Sequence, residues 1–110
     1  MALATTLGEM VASEVVDNID IARALHTSPR SVARWQATGS TPRRDAEERL
    51  LELKAVLDLL LQVLRPQPAR LWLRSPHPNL DYEKPIDLVA AGHYRRVIAE
   101  LMALAEGVTS

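Results

Sequence analysis

The sequence has 110 residues, 13 basic and 14 acidic side chains, a formal net charge of −1 and no cysteine. That length suffices for one compact domain, or for two small helical halves over a shared core. The missing cysteine excludes disulfides, cysteine-ligated zinc and a thiol nucleophile, and the near-neutral charge means that any nucleic-acid binding has to come from a local patch.

Apolar residues recur at helical spacing, and no alternating run is long enough for a strand, so the predicted fold is all-α. A first helix is expected over Ala4–Val16, with Leu7, Met10, Val11 and Val15 on one side. A short second helix follows at Ile19–Leu25, then a tight turn at His26 and Thr27. Ser28-Pro29 reads as a helix start, a serine N-cap followed by proline at the first helical position, where a missing N–H costs nothing. In the third helix Val32 and Trp35 face inward, while Arg30, Ser31 and Arg34 fall on the other side. Gly39 and the "GSTP" run end it.

A long fourth helix is expected from Arg44 to Leu64. Leu50, Leu53, Leu57, Leu60 and Leu64 form a heptad seam, with Leu51, Val56, Leu59 and Val63 as a second apolar stripe. A helix apolar on two sides must be covered on two sides, which makes it the spine joining two halves and points to self-association into a homo-oligomer. Its most apolar run, "AVLDLLLQVL", is too short to span a bilayer and contains Asp58. The N-terminus lacks the pattern of a secretory signal, so the expected location is the cytoplasm, with no membrane partner.

Beyond the spine, Pro66 stops the helix, and Pro68 is expected to start a short one carrying Leu71, Trp72 and Leu73, with Trp72 in the core. "SPHPN" (75–79) reads as a rigid extended turn. Pro85 starts another short helix that Gly92 ends, and Asp87 there suits the N-terminal end of the helix dipole. A last helix is expected over His93–Glu106, ended by Gly107, with Val108, Thr109 and Ser110 beyond it. The organisation is therefore an N-terminal helix–turn–helix region at 1–43, a connecting helix at 44–64 and a small helical region at 65–110.

Charge is unevenly placed. Residues 1–20 carry Glu9, Glu14, Asp17 and Asp20 and no base, whereas residues 21–44 carry Arg23, Arg30, Arg34, Arg43 and Arg44 and no acid. The segment Asp17–Gln36 has the two short helices, tight turn and locking apolar residues of a helix–turn–helix. Ser28, Arg30, Ser31, Arg34, Arg43 and Arg44 are its candidate DNA-binding residues. A small helical hairpin with solvated arginines has the same pattern; the acid-free window favours DNA. One bidentate arginine–base contact discriminates by about 1–3 kcal/mol, whereas specific binding amounts to roughly 11–15 kcal/mol. Useful specificity therefore requires several copies on repeated half-sites.

His26, His77 and His93 lie in three separate segments, and no pair has helical ligand spacing, so no metal site is expected. Asp87 and His93 lack any accompanying nucleophile or phosphate-cradling loop, so no enzyme, catalytic residue or cofactor is expected.

The C-terminal half resembles the toxin-binding domain of Xre/MbcA/ParS-like antitoxins. The matching stretches are Trp72 within "LWLRSP", "NLDYEKPIDLVAAG" (79–92) and "RVIAELMALAEGV" (96–108), while "SPRSVARW" resembles the Xre-type helix–turn–helix of the same family. The resemblance implies an antitoxin whose partner is a RES-domain toxin that depletes cellular NAD. It implies that the chain covers the toxin's active-site entrance with its C-terminal end, through Gly107, Val108, Thr109 and Ser110, or with the face of Tyr94, Arg95 and Arg96. It further implies a complex with several antitoxin copies that binds operator DNA and represses its own operon. The NAD would belong to the toxin. Competing readings are a stand-alone helix–turn–helix regulator whose C-terminal half only dimerises, and an interaction protein that has lost DNA binding.

Overall fold

The computed structural model describes residues 3–40 and 43–109, with the side chains of Leu3, Val108 and Thr109 outside that description. Seven α-helices follow one another: α1 (Leu3–Ala12), α2 (Asn18–Leu25), α3 (Pro29–Thr38), α4 (Arg44–Val63), α5 (Pro66–Leu73), α6 (Pro85–Ala90) and α7 (Tyr94–Thr109). Among the described residues a single 3-10 turn lies at Pro78–Leu80. The only β pairing among the described residues is an isolated bridge between His77 and Glu83, so the fold is all-α as expected.

The short N-terminal helices are set by their caps. The Asp17 carboxylate accepts from the Asp20 N–H at 2.9 Å, and the Asp20 carboxylate accepts from the Asp17 N–H at 3.0 Å, a reciprocal capping box that starts α2. Helix α1 therefore stops at Ala12, four residues earlier than its apolar pattern predicts: Glu14 adopts φ 64°, and the capping box takes over the chain at Asp17. Helix α2 ends in a Schellman turn, with His26 left-handed at φ 57° and the Thr27 N–H reaching the Ala22 carbonyl at 2.9 Å. Ser28 Oγ accepts from the Ser31 N–H at 3.1 Å, Pro29 opens α3, and Gly39 at φ 67° closes it.

The Asp20 N–H, its main hydrogen-bond donor, holds the Asp17 carboxyl below the ordinary aspartate value of 3.8, and Arg74 nearby adds to this. A carboxyl depressed in the folded state stabilises above its unfolded pKa and loses that contribution as pH falls through its folded one. Asp17→Ala is accordingly expected to lower stability by about 1 kcal/mol at pH 7. The difference should shrink as pH falls below 3.8, and thermal unfolding followed across pH measures it.

Helix α4 packs against α2 on one side and α7 on the other, while α6 touches α2, α5 and α7. Ala46, Leu50, Leu53, Val56, Leu57 and Leu60 are buried along it. The buried residues form one cluster from Leu7 to Leu101 that includes Trp35 and against which Trp72 packs, so regions 1–43 and 65–110 share a core through the spine. Only part of the second α4 stripe is covered from within: Val56 is buried, Leu59 and Val63 are half-buried, and Leu51 is 47% exposed.

Two further boundaries differ from the sequence reading. Pro66, not Pro68, starts α5, because Arg65 before it is held extended (φ −70°, ψ 163°) as a residue preceding proline must be. Gly107 does not end α7, which continues to Thr109. Glycine inside a helix costs only about 1 kcal/mol against alanine, and nothing here turns it left-handed.

Candidate functional site

Two surfaces carry the candidate residues. The first is α3 of the helix–turn–helix. Val32 is fully buried and Trp35 only 6% exposed, so these two hold α3 against the core and aim its opposite face outward. Arg30 and Arg34 lie exposed on that face and make no ion pair among the described residues. Ser28 and Ser31 are engaged with each other, Ser28 Oγ to Ser31 Oγ at 3.1 Å, as well as in the cap. Arg43 stands exposed at the start of α4 without a side-chain cap bond, and Arg44 pairs loosely with Glu48 at 3.6 Å. Arg23, the fifth base of the acid-free window, is committed elsewhere: its guanidinium meets Asp87 at 2.8 Å.

That pair belongs to a seam joining the two halves. His26 Nε2 donates to the Ala90 carbonyl at 2.7 Å, fastening the helix–turn–helix turn to the end of α6. Arg74 pairs with Asp20 and donates to the Val15 carbonyl at 2.9 Å, and Arg70 donates to the Glu14 carbonyl at 3.2 Å. Asp87, expected to serve its own helix's dipole, thus also ties α6 to α2. Nothing in the sequence spacing pairs residues 64 apart, so this seam was invisible there.

The second surface is α7 with the loop before α6. Tyr94 is half-buried and packs against the core, Arg95 lies 5.9 Å over its ring, and Arg96 pairs with Asp81 at 3.0 Å. Asn79 Nδ2 donates to Glu100 Oε1 at 3.2 Å, which fixes the loop to α7 a second time. Trp72 and His77 rings stack at 4.7 Å, and His77 Nε2 donates to the Trp72 carbonyl at 2.8 Å, so the proline-rich loop is held at both ends. Leu101 is fully buried and Leu104 half-buried; Glu106 and Gly107 are exposed. Ser110 and the side chains of Val108 and Thr109 lie outside the described residues.

No helix among the described residues is long and apolar enough to cross a membrane.

Residues 59–107 match the family described as the antitoxin Xre/MbcA/ParS C-terminal toxin-binding domain. Mycobacterial cidal antitoxin MbcA of Mycobacterium tuberculosis is 41% identical over 106 residues, covering 96% of this chain and 94% of that protein. A probable mycobacterial cidal antitoxin of the same species is 31% identical over 114 residues, covering 96% and 97%. In three dimensions the chain superposes on one from the crystal structure of the M. tuberculosis MbcT–MbcA toxin–antitoxin complex with a TM-score of 0.85 and 40% identity, covering 98% of this chain and 97% of that one. With the similarity running through both the helix–turn–helix and the C-terminal helices, the chain belongs to the Xre/MbcA/ParS family of antitoxins.

Proposed function

We propose that this chain neutralises a RES-domain, NAD-depleting toxin by covering its active-site entrance with the end of α7, and that it represses its own operon through α3. The observation that carries the first part is the full-length likeness to a chain of a toxin–antitoxin complex. The exposure of Glu106 and Gly107 near the end of α7 supports the geometry, because an exposed chain end suits a concave enzyme pocket. The blocking residues in this reading are Gly107 to Ser110, with Tyr94, Arg95 and Arg96 along the approach. The region that binds toxin is 65–110, docked on the connecting helix 44–64. Its setting is the cytoplasm, where both toxin and operator reside.

The test is growth of cells induced for the toxin encoded beside this gene. Co-expression of the chain should restore growth and halt NAD loss. Unrelieved arrest, with the chain present and folded, would sink the reading and favour a stand-alone regulator.

The DNA-binding part rests on α3, whose Arg30 and Arg34 are presented outward and left unpaired by the fold. Ser28, Ser31, Arg43 and Arg44 stand at its two margins and would meet the phosphate backbone. Arg30→Ala with Arg34→Ala is expected to weaken operator binding by at least about tenfold while leaving toxin neutralisation intact. If the two contact base edges, sequence preference relaxes at one position; if they contact phosphates, affinity falls uniformly and the salt slope flattens. Gel-shift titration across salt concentrations separates the two, and wild-type binding by the double variant would make α3 a structural helix only. Several copies on repeated half-sites, the homo-oligomer foreseen from the α4 stripe, would supply the remaining affinity.

A further inference from the structure

The loop between α5 and α6 contains a turn whose chemistry the fold does not explain. Asp81 (φ 56°) and Tyr82 (φ 62°) are consecutive left-handed residues, and the Glu83 N–H donates to the Leu80 carbonyl at 2.9 Å. This is the geometry of a type I′ turn, which favours Asn-Gly or Asp-Gly at its centre because both residues need positive φ. Aspartate suits the first position. At the second, where glycine is free of strain, the chain holds a tyrosine, a bulky residue rarely found there. Its ring gives nothing back to the core, since Tyr82 is 73% exposed, the most exposed of the large apolar side chains among the described residues.

The turn is also rigid. Pro76, Pro78 and Pro85 frame it, His77 and Glu83 bridge across its base, and Asp81–Arg96 at 3.0 Å and Asn79–Glu100 at 3.2 Å fix it to α7. A rigid aromatic at the tip of a braced turn loses little freedom when it enters a partner's pocket, and exposed tyrosines held in this way are typical interface anchors. Strained residues persist where function needs them.

We propose that Tyr82 is an anchor by which this chain recognises its toxin, inserting into an apolar slot whose rim is basic. The basic rim follows from the carboxylates that flank Tyr82 in sequence: Asp81 is paired with Arg96, and Glu83 makes no ion pair among the described residues. The toxin, not a second copy of the chain, is the occupant because Tyr82 lies inside the stretch 59–107 that matches the toxin-binding domain, braced against α7. The inference rests on the antitoxin reading and gives it a contact separate from the end of α7.

The experiment uses full-length chain and the purified toxin encoded by the neighbouring reading frame, with affinity read by calorimetry. Tyr82→Gly suits the positive φ, so its melting temperature should equal or exceed that of the wild type, yet it should bind toxin at least about tenfold more weakly. Tyr82→Phe, which keeps the ring, should bind within about threefold. Binding by Tyr82→Gly within about twofold of wild type would overturn the proposal. So would a fall in its melting temperature, a changed oligomeric state by sedimentation, or a phenylalanine variant as weak as the glycine one. Failure of the wild-type chain to bind toxin defeats the antitoxin reading as well; failure of Tyr82→Gly to differ from a wild type that binds defeats only this contact.

Discussion

Replacing Leu57 and Leu60 together by glutamate is expected to unfold the chain. Both leucines sit on α4, at 3% and 0% exposure, where it packs against α2 and α7. Losing a buried leucine side chain costs about 2–5 kcal/mol, and burying a carboxylate in its place adds a further desolvation cost. Two such changes, about 4–10 kcal/mol before the desolvation cost is added, are of the same size as the roughly 5–15 kcal/mol that holds a domain together. Far-UV circular dichroism should show the helical signal lost at 25 °C, with sedimentation showing an expanded or aggregated chain. A folded monomer would instead make the seam an interface between copies, against the burial found here. Leu51, 47% exposed on the same helix, is the control. Leu51→Glu should leave the helical signal unchanged, and any fall in oligomer size would then report self-association through the uncovered side.

The heptad of α4 could be read as buried from sequence because periodicity reports which side of a helix is apolar. Whether that side meets the same chain or another copy depends on what folds back against it. Here Leu50, Leu53, Leu57 and Leu60 are buried on a helix that packs against α2 and α7, contacts between elements far apart in sequence that no local pattern encodes. Caps were equally legible: Ser28-Pro29 starts α3 and Gly39 ends it, since these depend on a few neighbouring residues. The end of α1 was not, because the apolar run through Val16 continues past the point where the chain turns. Val15 and Val16 are buried from a loop, not from a helix. The outward placement of Arg30 and Arg34 followed from their spacing against Val32 and Trp35. The engagement of Arg23 by Asp87 and of Arg96 by Asp81 did not, so composition overstated how many bases of each surface stand free. Tyr82 escaped notice for a related reason: "NLDYEKP" reads as a loop, and only backbone angles reveal a tyrosine where the turn favours glycine.

Ending the chain at Glu106 is expected to abolish most toxin inhibition while leaving the fold intact. Among the described side chains of α7 the last fully buried one is Leu101, Leu104 and Ala105 are half-buried, and Gly107 is exposed. Removing Gly107 to Ser110 takes away the last four residues of the chain, a change near neutral for stability. If those residues enter the toxin's pocket, at least about tenfold more of the shortened chain should be needed to stop NAD loss, with melting temperature and DNA binding as in the wild type. Gly107 sharpens the test. It is helical, its φ is not positive, and a Cβ built on it meets nothing within 4 Å. Alanine there should strengthen the helix by about 1 kcal/mol. A partner's backbone or pocket wall passing close to α7 would favour glycine there, since it has no Cβ. Gly107→Ala should accordingly raise the melting temperature slightly and still inhibit more weakly. Should both the shortened chain and Gly107→Ala inhibit at the wild-type concentration, the blocking surface moves back along α7 to Tyr94, Arg95 and Arg96. There Arg95, exposed over the Tyr94 ring and without an ion pair among the described residues, is the side chain to change next.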